Sequence, residues 1–292
     1  MSCFFRGKWI RIISLLLLVA TLQACTGLKL GYNNGVDLAA WWLDGHIDFN
    51  KAQSQRVRDD LRQLQLRNRQ QALPDYAQTL RQAQGLVARD MTPEQVCAVG
   101  ATVRGYIDAL LLDAEPAATN LVLSLTPDQI GYLERKYAKT NTEYRNDWLA
   151  LSPAEMHQKR FDKALERAEM IYGRVDAAQK ALIRQQVEQS HFDPQRVQAE
   201  RLRRQTDTLQ TLRQLQRDPA AAADARAAVH GVLERSMHSP NPTYREYADG
   251  LAQQDCQGIA TVHNSTTPKQ RESAVRWLGG YELALRELAA QR

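Results

Sequence analysis

The chain has 292 residues, of which 43% are hydrophobic, 24% charged and 7% aromatic. That composition excludes a disordered tail, a collagen and a multi-span membrane protein, and the length suffices for one large or two modest domains with a substantial core. The formal net charge is +5, but Arg6, Lys8 and Arg11 stand in the first 24 residues, which hold no acid. The rest of the chain is therefore close to neutral, and no nucleic-acid partner is expected.

Residues 1–24 combine that basic start with an apolar run from Ile12 to Leu22 and end on Gln23-Ala24. Eleven apolar residues fall short of the ~20 that a bilayer-spanning helix needs, and the three-part pattern is that of a secretory signal peptide. Leu22-Gln23-Ala24-Cys25 resembles the bacterial lipobox, with Gln23 where a small residue is usual. The resemblance implies that the Cys25 thiol takes a diacylglycerol, that residues 1–24 are removed, and that the new amine is acylated with a palmitate-type chain. Three acyl chains on one residue hold essentially permanently, whereas a single chain anchors marginally. Thr26, not Asp, follows the cysteine. By the sorting rule of Gram-negative lipoproteins this implies the periplasmic face of the outer membrane.

Residues 25–47 form a lead-in that carries Tyr32-Asn33-Asn34 and Trp41-Trp42-Leu43-Asp44-Gly45. Paired tryptophans this near an anchor suit the membrane interface, where one end of the ring is apolar and the other wet. They equally suit anchors in the core of the first helices. Sixteen residues separate Cys25 from Trp41, a reach of at most roughly 55 Å when extended.

Residues 48–292 read as a helical domain. Starts of the form Ser, Thr or Asp followed by Pro recur at Thr92-Pro93, Thr126-Pro127, Ser152-Pro153, Asp193-Pro194, Asp218-Pro219 and Thr267-Pro268, with Glu or Gln close behind in most of them. The first residue caps free N–H groups, Pro suits the first helical position, and Glu or Gln at N3 closes a capping box. Between starts the apolar residues keep the helical period: Ile130, Leu133, Tyr137, Tyr144, Trp148 and Leu151, then Phe161, Leu165, Ala168, Tyr172, Val175 and Leu182. No stretch alternates long enough for a strand, and the starts keep no fixed spacing, which disfavours a regular solenoid. The expectation is an irregular all-α bundle of about nine helices, free to be elongated.

Of the four cysteines, one leaves with the leader and Cys25 takes the lipid. Cys97 and Cys256 remain, and in an oxidising compartment two such thiols read as one disulfide. The alternative is two buried, unpaired thiols packed as small hydrophobes. A metal site is poorer, because neither cysteine has a Cys or His at ligand spacing. The six histidines are scattered, and there is no G-x-S-x-G, H-E-x-x-H, phosphate loop or dinucleotide fingerprint. No cofactor, metal or enzymatic activity is expected, and no catalytic residue is nominated. The Arg-rich stretch Arg196 to Arg204 reads as a solvated helix face, or more sharply as contacts to envelope anions.

The lipobox, the Tyr32-Asn33-Asn34…Trp41-Trp42-Leu43-Asp44 segment and the Cys256…Thr267-Pro268-Lys269-Gln270-Arg271 segment together resemble an uncharacterised family of proteobacterial lipoproteins, a domain of unknown function. That resemblance spans nearly the whole mature chain and carries over no functional residue. Leu125-Thr126-Pro127-Asp128-Gln129 is also similar to the Leu-Thr-x-x-Gln signature of small helical periplasmic stress chaperones, although capping alone explains those residues. The expected role is binding of an envelope protein or cell-wall component by a scaffold held to the membrane through its N-terminal lipid. The alternative is a chaperone-like module that binds a ligand or client.

Overall fold

The computed structural model describes residues 27–217 and 224–291, so the leader, Cys25 and the Asp218-Pro219 start lie outside the described residues. Among the described residues there are twelve α-helices and no strand. They are α1 (Gly35–Ile47), α2 (Lys51–Arg67), α3 (Leu73–Val87), α4 (Pro93–Asp113), α5 (Glu115–Leu123), α6 (Pro127–Tyr144), α7 (Pro153–Tyr172), α8 (Ala177–Glu188), α9 (Pro194–Arg217), α10 (Ala225–Met237), α11 (Pro242–Asn264) and α12 (Pro268–Ala289). Two π-helical turns, Asn68–Ala72 and Arg145–Leu149, follow α2 and α6.

The chain is all-helical, as the periodicity predicts, but it has three helices beyond the nine expected. One is α1, from the lead-in. A second is α5, which begins at Glu115 directly after Ala114 ends α4; the break falls there because Pro116 lacks the N–H that would continue the ladder. The third arises within Phe161 to Leu182, whose apolar period reads as one face. Gly173 takes φ 77° and ends α7, a backbone conformation that glycine adopts at little cost, and Asp176 then caps α8.

Four of the proline starts form complete capping boxes: Thr92 with Gln95, Thr126 with Gln129, Ser152 with Glu155, and Thr267 with Gln270. Asp193 caps α9 by accepting from the backbone N–H groups of Gln195 and Arg196. Asn50 and Asp176 form the same box without proline.

The capping boxes also assemble into two tertiary clasps. The Gln53 and Gln129 carboxamides donate to each other, at 3.1 and 2.6 Å. The second N–H of Gln53 goes to the Ser124 carbonyl and that of Gln129 to the Asp48 carbonyl, both at 2.8 Å. Each of those carbonyls lies two residues before the partner's cap. The same pattern recurs between α8 and α12. Gln179 and Gln270 exchange bonds at 2.9 Å, and they donate in addition to Ser265 O at 3.0 Å and Arg174 O at 2.8 Å. All four glutamines are buried, and each carboxamide has both donors and its acceptor engaged, which burial demands. The chain thus repeats one device, two helix–turn–helix corners locked through their N3 glutamines, at unequal spacing along the sequence.

An apolar cluster lies beside each clasp. Ile47, Leu125, Ile130, Leu133, Leu209 and Leu212 pack together near the first. Phe161, Ala168, Val175, Ile183 and Val187 pack near the second. The early and late parts of the chain are joined by packing of α12 on α3 and of α11 on α4. Glu282 of α12 is buried and accepts from Arg81 and Gln84 of α3 at 3.0 and 2.6 Å; the Gln84 bond, then Arg81 and Arg286, hold its carboxyl below the ordinary range. Asn264 bridges both the N–H and the carbonyl of Met91. The Arg-rich stretch of α9 is largely turned to internal use: Arg203 and Arg204 hold the buried Glu200, and Arg201 donates to Asn141. Burial raises the Glu200 pKa, but these arginines with Ser239 outweigh it and the net shift is downward.

His263, 1% exposed, ties three segments. Its Nε2 lies 2.8 Å from the Arg89 carbonyl, which can only accept, so Nε2 carries the proton. The neutral ring then accepts at Nδ1 from the Tyr172 hydroxyl, 3.0 Å away. Burial lowers the His263 pKa and pushes that of Tyr172 up to about 12. Because His263 protonates more readily in the unfolded chain, its contribution to stability is complete above the unfolded pKa of about 6.5 and is lost as pH falls through it. The unfolding free energy from urea titration should therefore fall between about pH 7.5 and pH 5.5, by at most about 1.4 kcal/mol per pH unit from this group. In His263→Asn that slope should flatten, and an unchanged slope would assign the loss elsewhere.

Candidate functional site

Cys97 and Cys256 sit in α4 and α11 with sulfur atoms 2.08 Å apart and Cα atoms 5.5 Å apart. The pair is thus at disulfide distance, and the two helices are in contact as such a pairing requires.

Tyr32 and Asn33 of the lead-in are held by the end of α2 and the π-helical turn after it, while Asn34 donates to the Leu30 carbonyl. Tyr32 donates to the Gln65 carbonyl and to Asn68 Oδ1, while Arg69 lies over its ring and donates to Asn33 Oδ1. Asp44 accepts from the Phe49 N–H at the turn into α2. Neither tryptophan is a core anchor. Trp41 is 72% exposed and Trp42 57%, with the Trp42 ring tilted against His46 of its own helix. Leu30 and Leu38 are exposed beside them in the sequence. The opposite face of α1 carries buried Ala40 and Ile47 and packs on α2 and α6.

A second apolar surface belongs to α4. None of its residues is buried, and Val103, Ile107, Leu110 and Leu111 recur at helical spacing with their side chains exposed. By length and composition alone α4 could cross a membrane, yet it carries Arg104 and Asp108 at mid-length and is tied to α11 through Cys97. Tyr106 on another side stacks on Tyr76 and bonds Thr79 of α3.

Between α7, α8 and α11 a cleft of about 560 Å³ opens. The π-helical turn after α6 delivers Trp148 to its mouth, edge-on to Phe192 at 5.5 Å between ring centres. Arg160 lies over the Phe192 ring and donates to the Val187 carbonyl and to Ser190 Oγ. Its burial lowers its pKa. Asp255 faces it from α11. The protein around Asp255 raises its pKa, and the Arg160 and Arg167 guanidinium groups oppose that shift. Arg160, Lys163 and Arg167 share one helix face by their spacing, and without the packing of α11 nothing sets that face apart from a solvated one.

Among the described residues no group of three His, Cys, Asp or Glu side chains is arranged to hold a metal ion. His230 instead bonds Glu115, which also accepts from Arg226 and whose pKa is lowered first by that arginine.

Residues 45–225 match DUF6279, a family of unknown function. The chain belongs to that family. The DUF6279 segment runs from the end of α1 to the start of α10, so it contains the first clasp, α4 and the α7–α8 side of the cleft; Trp41, Trp42, Cys256 and α12 fall outside it. No curated protein and no solved structure matches the chain.

Proposed function

We propose that the protein is a lipid-anchored lipoprotein on the periplasmic face of the outer membrane, and that its helical body works by binding another envelope component. The observation that carries this reading is the run of exposed apolar side chains, Leu30, Leu38, Trp41 and Trp42, that begins five residues after Cys25. Exposed tryptophans about sixteen residues from an acylatable cysteine suit the headgroup layer of a bilayer. Thr26 supports the outer membrane, and a cysteine pair at disulfide distance supports an oxidising compartment. The exposed apolar stripe of α4 supplies a surface for a protein partner.

The test is fractionation and mass spectrometry of the wild type and of Cys25→Ser, followed by envelope crosslinking from position 107. The mature wild type should begin at lipid-bearing Cys25 and crosslink to one envelope component. The variant should be retained uncleaved in the inner membrane or released. Recovery of an unmodified peptide spanning Thr26 would sink the anchor, and crosslinks to no macromolecule would sink the scaffold.

The second reading, a chaperone-like module, is favoured by the same α4 stripe. It predicts that the body suppresses aggregation of an unfolded client and that Ile107→Asp abolishes the effect.

A further inference from the structure

The cleft between α7, α8 and α11 has two chemically distinct sides. Lys163 and Arg167 stand one turn apart on α7, both exposed, and neither has a carboxylate within ion-pair distance among the described residues. Lys163 Nζ lies 5.1 Å from the Trp148 ring centre. With Arg160 they make three cations against one acid, Asp255. The other side is carbon: Ala164, Ala168, Ile183, Val187 and Val262 belong to the second apolar cluster, and the Trp148–Phe192 pair closes one end. Gly258, buried on α11, lets that helix approach; a Cβ there would meet Gln186 Oε1 at 3.1 Å.

We infer that this cleft binds a single-chain amphiphile with an anionic headgroup, its acyl chain on the apolar wall and its carboxylate or phosphate between Lys163 and Arg167. Charge complementarity selects this occupant. A neutral lipid would leave the cations without a counter-charge, and a small polar anion would leave the aromatic wall unused. The volume falls within the range of small-molecule sites, roughly 300–1,000 Å³. The inference holds whether or not Cys25 is acylated, since no residue of the cleft lies in the lead-in.

The experiment uses the full chain in a nonionic detergent with laurate carrying a photoreactive group in its tail. After illumination and digestion, the label should fall on peptides holding Ile171, Ile259 or Val262. Unlabelled laurate or dodecyl phosphate should compete, and the stronger of the two identifies the headgroup. Dodecanol, acetate and inorganic phosphate should each compete about tenfold or more weakly, the loss expected when one half of the ligand is missing. Lys163→Gln with Arg167→Gln should reduce cleft labelling about tenfold with circular dichroism and melting unchanged. Label spread over α1 and α4 instead of the cleft, equal competition by dodecanol, or labelling indifferent to the double substitution would each overturn the assignment.

Discussion

Loss of the Cys97–Cys256 pairing should destabilise the protein more than any other single covalent change. The two residues are 159 apart in sequence, and the chain-entropy account assigns a closed loop of that size about 5 kcal/mol. The measured loss should be smaller, since such bridges often fall short of that account. Cys97→Ser and Cys256→Ser should each lower the urea midpoint by the same amount, and the double substitution should add little, because the first removes the whole effect. On a non-reducing gel the wild type should run ahead of its reduced form and neither variant should show the difference. Alkylation of both thiols in freshly extracted, unreduced protein would remove the bond from the account.

Gln129→Glu should cost about 3 kcal/mol, within the range for leaving buried hydrogen-bonding groups unmatched. Glutamate serves equally well at N3 of a capping box, as Glu155 does behind Ser152, so the helix start survives. What fails is the clasp: an oxygen would replace the nitrogen that donates to Gln53 Oε1 and Asp48 O, setting acceptor against acceptor with a charge. Gln270→Glu should behave alike through Gln179 and Arg174. The internal control is Gln95→Glu, since Gln95 closes the Thr92 box but takes part in neither clasp; it should change stability by less than about 0.5 kcal/mol. Lowering the pH should narrow the deficit at positions 129 and 270, because a protonated glutamate regains one donor. Equal losses at all three positions would mean that capping alone is measured.

The two predictions also separate what the sequence discloses from what it withholds. Helix starts are local chemistry, and Thr92, Thr126, Ser152, Asp193 and Thr267 could be read as caps because a cap acts only over the next three residues. Asp176 does the same work without the proline that marks the other starts, so the apolar period alone runs on through Gly173. The disulfide was legible by elimination among four cysteines. The clasps were not: Gln53 and Gln129 look like ordinary N3 residues, and reciprocity across 76 positions is a property of packing. The apolar positions of α4 had the right period for a buried face, yet period reveals a shared side and not what covers it. The tryptophans show the same limit, since exposure depends on neighbours that no spacing announces. The cleft exists only where α7, α8 and α11 meet.

The clasps also bear on the order in which the chain can assemble. The first uses residues 48 to 129 and the second residues 174 to 270, two stretches that do not interleave. Growth from the N-terminus therefore presents every partner of the first clasp before any partner of the second has emerged, and domains emerging in that order tend to fold as units. The ties that span both, α12 on α3 and Cys97 to Cys256, wait for the last third of the chain. Vectorial emergence would thus leave α4 for a time with its Cys97 thiol free and without α11 against it, a window in which an oxidant would meet a thiol that the finished protein no longer displays.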